Sequence, residues 1–257
     1  MKKTMIAGAA AIALAAPAYA GLEGELSLTY NSQFNYRGAN GILSDAAGLL
    51  LNGADTDNTF DTALDLSYGL NDQVSLVAGA NINTLTDTSV DHNRYRAGLR
   101  YTAECYTLEL GYQYQELSNA LISGLDTDEI YLNIGTKCPL TDGNLNLSIV
   151  HDIGLLDGTY AELSWNMAWD LCETAKVDVT VGVSYSFDYW DNIIGTGSDW
   201  NHAYITVGLP FQATDNLTVT PFVTYSEGFD ALDASALVPG LAEDSEFIFG
   251  VRAAVQF

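Results

Sequence analysis

From residue 21 onward the chain alternates with a period of two. Over 59–70, Phe60, Leu64, Leu66, Tyr68 and Leu70 share one face, while Asp61, Asp65, Ser67 and Gly69 share the other. Over 176–188, Val177, Val179, Val181, Val183, Tyr185 and Phe187 alternate with Asp178, Thr180, Gly182, Ser184, Ser186 and Asp188. Successive side chains of a strand point to opposite faces, so each segment reads as a strand with one apolar and one polar side. Twelve segments follow the pattern, near 22–37, 59–70, 73–83, 93–104, 106–117, 127–137, 144–153, 160–171, 176–188, 201–210, 216–226 and 246–257. They are too long for ordinary globular strands, which average about 5–6 residues. They match the length of about 9–11 residues or more that a tilted strand needs to cross a bilayer.

The connections alternate as well. Short ones at 71–72, 104–105, 138–143, 172–175 and 211–215 interleave with longer ones near 38–58, 84–92, 118–126, 154–159, 189–200 and 227–245. An outer-membrane barrel has short periplasmic turns, longer outer loops, an even strand number and both termini on the periplasmic side. The expected fold is therefore all-β: a transmembrane antiparallel up-and-down β-barrel of about 12 strands with periplasmic termini. Lipid offers no hydrogen bonds to a sheet edge, so the last strand has to pair with the first. With strands about 4.8 Å apart and tilted about 40°, the backbone cylinder is roughly 24 Å across, which leaves a narrow lumen. A soluble sandwich also alternates, but its apolar face packs inward and is seldom so aromatic at both ends. The last segment, with Phe247, Phe249, Val251, Ala253, Val255 and terminal Phe257 on one face, resembles the signal by which barrels are accepted for outer-membrane assembly.

Residues 1–20 carry Lys2 and Lys3, an apolar run from Met5 to Ala16, and Pro17-Ala18-Tyr19-Ala20 before Gly21. That is the pattern of a secretory signal peptide, too short in its apolar part to span a membrane. The barrel domain then occupies 21–257, exported to the cell outer membrane of a Gram-negative-type bacterium, with the lipids of that membrane as its surroundings. The composition agrees: 23 Gly and 15 Tyr against 5 Pro suit strands and turns. A net charge of −24, more negative still without Lys2 and Lys3, repels phosphate backbones and sets nucleic acid aside.

With the apolar face toward lipid, parity turns nearly every basic residue inward: Arg37, Arg94, Arg96, Arg100, Lys137 and Arg252. Asp61, Asp65, Glu109, Glu129 and Asp178 turn inward too, with Glu23, Glu25, Asp152, Glu162, Asp170 and Asp188. Arginines of the first, fourth and twelfth strands facing carboxylates of strands five to nine would set a field across the bore that orients and filters polar solutes. The expected function is a porin-like channel for passive diffusion of small hydrophilic solutes, lined by Arg37, Arg94, Arg96, Arg100, Arg252, Asp61, Asp65, Glu109, Glu129 and Asp178. The alternative is a closed structural or surface-binding barrel whose charges pair and fill the lumen. The loop 38–58 holds Leu49-Leu50-Leu51, which suits an inward fold, a short helix or a partner subunit. Monomer and homo-oligomer are equally open.

In the first segment, Phe34-Asn35-Tyr36-Arg37-Gly38 is similar to the aromatic-x-aromatic-Arg-Gly signature of the TorF-type porin family. Ala39 stands where that family usually has a small hydroxyl residue. The resemblance implies an outer-membrane channel and puts Arg37 at a motif position.

Cys105, Cys138 and Cys172 all fall at expected periplasmic turns. Antiparallel pairing of 106–117 with 127–137 is expected to bring residue 105 opposite 138, hence a Cys105–Cys138 disulfide with Cys172 unbridged. No C-x-x-C pair supports zinc, and the run Asp55, Asp57, Thr59, Asp61 lacks the Gly and closing Glu of a calcium loop. No metal and no cofactor is expected. Of the three histidines, His92 is expected in an outer loop, His151 faces lipid without a neighbouring Ser, and His202 opens strand ten. Asp188 and Asp191 near His202 are a common chance pairing. No enzyme activity is expected, an outer-membrane hydrolase being the weakest reading.

Overall fold

The computed structural model describes residues 21–33, 35, 37, 58–85, 91–118, 126–138, 141–233 and 245–257. The signal-peptide segment, Phe34, Tyr36, Gly38, Ala39, Leu49 to Leu51, Asp55 and Asp57 lie outside these residues. Twelve long strands form one antiparallel sheet: β1 (Leu22–Asn31), β2 (Thr59–Gly69), β3 (Val74–Leu85), β4 (Asp91–Thr102), β5 (Tyr106–Ser118), β6 (Thr127–Lys137), β7 (Asn144–Asp152), β8 (Thr159–Cys172), β9 (Ala175–Phe187), β10 (Asp199–Gly208), β12 (Leu217–Gly228) and β13 (Ser245–Gln256). The two-residue β11 (Phe211–Gln212) stitches the turn before β12. Each long strand pairs with its sequence neighbour, and β13 also pairs with β1 through Leu26↔Val255 to Asn31↔Gly250, which closes the barrel. The start of β1 and the end of β13 both lie at the end that carries the short turns, since Leu22 pairs with Tyr68 and Gln256 with Glu25.

The usual order of burial is inverted. Large apolar side chains such as Leu28, Leu76, Leu99, Leu110, Leu163 and Val251 are exposed on the outside, and Ser27, Glu109, Gln113, Glu129, Ser184 and Ser226 are buried inside. In water such an exterior is unfavourable; in hydrocarbon it is what a spanning barrel presents. Aromatic side chains gather toward both rims. At the long-loop end Tyr30 meets Phe60 (5.3 Å between centroids), Tyr185 meets Phe187 (4.6 Å) and Trp200 (5.4 Å), and Tyr225 meets Phe247 (4.9 Å). At the short-turn end Tyr101 meets Tyr106 at 6.0 Å. These match the interfacial girdles of transmembrane barrels. Leu110, paired with Leu99 and Leu132 on its neighbours, sits in the apolar band between them. Leu110→Arg is expected to lower unfolding stability in vesicles by about 2–4 kcal/mol, the midplane cost of a lipid-facing cation, read by denaturant titration of tryptophan fluorescence.

Inside, glycines make room for large neighbours. Tyr131 lies over Gly98 and Gly111, where any Cβ would stand 2.7 Å and 2.5 Å from the ring's hydroxyl oxygen.

Two sequence expectations need correction here. The first strand ends at Asn31 rather than 37, because its neighbours stop pairing there: Asn31 is the last partner of both Thr59 and Gly250. The Cys105–Cys138 disulfide is not formed. β5 and β6 pair with Tyr106 opposite Thr136, so position 105 continues toward Lys137 and Cys138 falls one residue beyond. One residue in a strand is a change of face. Exposed Cys105 and Cys172 are expected to react with a thiol reagent in the folded protein, with identical gel mobility in the presence and absence of reductant.

Candidate functional site

Period two places His92, Arg94, Arg96 and Arg100 of β4 in the lumen. Arg96 stands opposite Gly79 of β3, and Gly79 in turn opposite Asp65 of β2. Because Gly79 has no side chain, the Arg96 guanidinium crosses β3 and reaches Asp65 at 2.6 Å. Its other nitrogen meets Glu109 of β5 at 3.4 Å, and Arg100 binds the same Glu109 at 2.7 Å and 2.9 Å. At the same end Arg252 of β13 donates to Glu25 of β1. Asp178 of β9 accepts from Asn166 at 2.6 Å.

The sequence reading sets arginines against carboxylates across the bore. The structure instead pairs most of them sideways, with near strands. The physical reason is reach: adjacent strands lie about 4.8 Å apart, so an arginine on the wall meets its neighbour's carboxylate before it meets the far wall.

Arg37 is the exception. Six residues beyond the end of β1, it adopts a left-handed backbone conformation (φ 55°) and turns into the lumen. Its guanidinium binds both oxygens of Glu129 on β6, at 2.6 Å and 3.0 Å, in the planar bidentate geometry suited to carboxylates. Glu129 is fully buried. It also accepts from Tyr189 and Gln115, each at 2.6 Å, and from Gln113. The Arg37 guanidinium lies 4.7 Å from the Tyr189 ring centre and 5.1 Å from that of Tyr160, close enough for cation–π attraction. Its backbone oxygen accepts from Asn201 at 2.6 Å, and Asn201 accepts from the Trp190 indole at 2.7 Å. Tyr189, Trp190, Leu156, Ala231 and Leu232 are all buried, so the loops after β7, β9 and β12 form a small core over this side of the lumen. Asp152 holds the first of these loops by accepting from the backbone of Gly154, Leu156 and Asp157.

The remaining interior is open at two levels. Toward the long loops, a cavity of about 390 Å³ runs between Asp61, Asn83 and Arg94 on one wall and His202, Tyr204 and Phe222 on the other. Toward the short turns, a cavity of about 640 Å³ is bounded by Glu23, Glu25, Asp65, Arg96, Arg100 and Asp215. A third of about 450 Å³ shares Arg100 with it and extends along Glu109 and Asn133. The charged cluster Asp65–Arg96–Glu109–Arg100 thus borders the lower chambers, and Asp61 and Arg94 border the upper one.

The histidines differ from the sequence expectation. His92 belongs to β4, is buried in the lumen and contacts Gln115 at 2.9 Å. His202 contacts Ser184 at 2.6 Å and Asn201 at 2.9 Å, not Asp188 or Asp191. Asp188 accepts from Ser198, and Asp191 from the backbone of Gly197. His151 keeps its outward face and meets Thr159 at 3.0 Å. Among the described residues no cluster of His, Cys, Asp or Glu is arranged to hold a metal ion. Sequence reasoning missed Gln113, Gln115, Tyr189, Trp190 and Asn201. Parity gave the two glutamines an inward direction, but nothing in the sequence announces that the Tyr189-Trp190 turn folds back over them.

No family matches this chain, and no curated protein does. Solved structures do. The chain is similar to the translocator domain of the autotransporter NalP from Neisseria meningitidis, with 11% identity and a TM-score of 0.52 over 100% of this chain and 95% of that one. An outer-membrane channel from Pseudomonas putida F1 shares 12% identity, with a TM-score of 0.54 over 92% and 96% of the two chains. The NanC porin shares 10%, with a TM-score of 0.54 over 90% of this chain and 100% of that one. At these identities the likeness is one of fold: a closed antiparallel twelve-stranded barrel of the outer-membrane type.

Proposed function

We propose that this chain is a porin-like channel of a Gram-negative-type outer membrane, exported with residues 1–20 as its signal peptide and passing small hydrophilic solutes by diffusion. The observation that carries the reading is the inverted barrel: an apolar exterior between aromatic rims encloses a lumen of charged and amide side chains around sizeable cavities. In this reading the short turns and both termini face the periplasm. Arg37, Arg94, Arg96, Arg100, Arg252, Asp61, Asp65, Glu109, Glu129 and Asp178 then line or border the path. Two of the similar structures are a channel and a porin, which supports the same reading. Membership of the TorF-type family belongs to the proposal too and rests on the residues 34–38.

A second reading, a closed barrel with a structural or surface-binding role, is favoured by one feature: the Arg37–Glu129 pair and the loops packed over it fill part of the long-loop end. A hydrolase is the weaker alternative. The Ser184 hydroxyl beside His202 is 1% exposed and also contacts Asn201, which suits a packing role better than a nucleophile that must meet substrate.

Single-channel recording of purified 21–257 in a planar bilayer, with reversal potential in a salt gradient, tests the reading. Stable current steps are expected. Silence across salts from protein that remains folded would overturn the channel and leave the closed barrel.

A further inference from the structure

We infer that the upper cavity is a binding site for an uncharged saccharide of one or two rings, an inference that rests on the channel reading for its role but not for its chemistry. Five buried side-chain oxygen or nitrogen atoms among the described residues lack a hydrogen-bond partner, and three of them line this one cavity: Gln33 Oε1, Asp61 Oδ1 and Asn83 Oδ1. Asn83 is only 6% exposed. A buried acceptor without a donor costs about 1–3 kcal/mol in general, so three such atoms in one place form a surface shaped for something that donates.

All three atoms are oxygens, which selects the donor. Asp61 and Asn83 are directly opposed on β2 and β3, so both belong to one stretch of the cavity wall. A carboxylate or phosphate ligand would set oxygen against oxygen there. An ammonium would satisfy them, but Arg94 borders the same cavity and repels a second cation. Hydroxyl groups donate without adding charge, and each also accepts, so the same ligand meets Arg94 as well as the carboxylate. Opposite these residues stand Tyr204 and Phe222, whose rings offer an apolar wall to the C–H face of a sugar. The other carboxylate on the wall among the described residues, Glu162, is already occupied by the hydroxyls of Tyr160 (2.6 Å) and Tyr204 (2.8 Å). A cavity of about 390 Å³ lies within the range of roughly 300–1,000 Å³ typical of small-molecule sites.

The test is calorimetric titration of 21–257 in detergent with maltose, and with sodium glucuronate and glucosamine hydrochloride as charged counterparts. Maltose is expected to bind at least tenfold more tightly than either. Asn83→Leu, and separately Gln33→Leu, remove one acceptor each and are expected to weaken maltose binding about tenfold, since a site built around a ligand hydroxyl discriminates strongly when its partner is lost. Heat-dependent gel mobility confirms that each variant is folded. Tighter binding of glucuronate or glucosamine, no maltose heat from folded protein, or unchanged affinity in both variants would each overturn the inference. Calorimetry needs no current: a conducting barrel that ignores maltose defeats this site alone, whereas a maltose binder that never conducts defeats the channel and leaves the site standing.

Discussion

Arg37→Ala is expected to raise single-channel conductance severalfold and to lower the stability of the barrel by about 3–5 kcal/mol, the usual cost of leaving one member of a buried ion pair unpaired. The two effects have one origin. Glu129 is fully buried and receives five hydrogen bonds, two of them from Arg37. Without the guanidinium, its carboxylate keeps the amides and the tyrosine hydroxyl but loses the ion pair with Arg37. Residue 37 also loses its side-chain attachment to Glu129 on β6 and keeps only the hydrogen bond from Asn201 on β10 to its backbone oxygen.

A second variant separates the effects. Arg37→Ala with Glu129→Ala removes both charges, so no buried carboxylate is left unpaired, and most of the lost stability is expected to return while the wide conductance persists. Denaturant titration in detergent and planar-bilayer recording give the two readouts, and adding Glu129→Ala alone completes the cycle whose coupling energy measures the pair itself. If native protein is silent and Arg37→Ala conducts, the barrel is a closed channel held shut by this contact. If conductance is the same in all three forms, Arg37 anchors the loop without obstructing the path.

Much of this was legible in the sequence, and the boundary is physical. Alternation announces strands, and the parity that put Leu28 and Leu110 outside and Glu109 and Glu129 inside is what the barrel shows. The overlong first strand arose because Asn35 and Arg37 continue the alternation after the ladder has ended; a pattern within one segment cannot say where its partners stop. Parity alone separates the two cysteines. Glu109 and Glu129 both face inward, and residues directly opposite on neighbouring strands share a face. Position 105 has the parity of Glu109 and position 138 the opposite parity to Glu129, so the two cysteines never shared a face. What no pattern conveyed was tertiary: Tyr189 and Trp190 fold over the lumen because their loop packs on loops distant in the chain. The pairing of Arg96 with Asp65 likewise depends on Gly79 lying between them, which only the register reveals.

The charge of the lower chambers should decide ion preference. Glu23, Glu25, Asp65 and Asp215 border the larger chamber against Arg96 and Arg100, so acid is already in excess and native protein is expected to favour cations. Replacing both arginines by glutamine strips the ion-pair partners from Asp65 and Glu109, turning a nearly balanced cluster into two carboxylates without compensation. Cation over anion permeability is expected to rise severalfold, with the reversal potential in a potassium chloride gradient moving toward the cation limit. Asp65→Asn with Glu109→Gln leaves two arginines uncompensated and is expected to move it the other way. Both shifts come from charges screened over about 10 Å at 0.1 M salt and about 3 Å at 1 M, so they shrink as the bath is concentrated. A shift that persists unchanged at 1 M would place the cause in pore width, because glutamine is also shorter than arginine and widens the passage. Equal reversal potentials in all three proteins at low salt would mean that permeating ions bypass this cluster altogether.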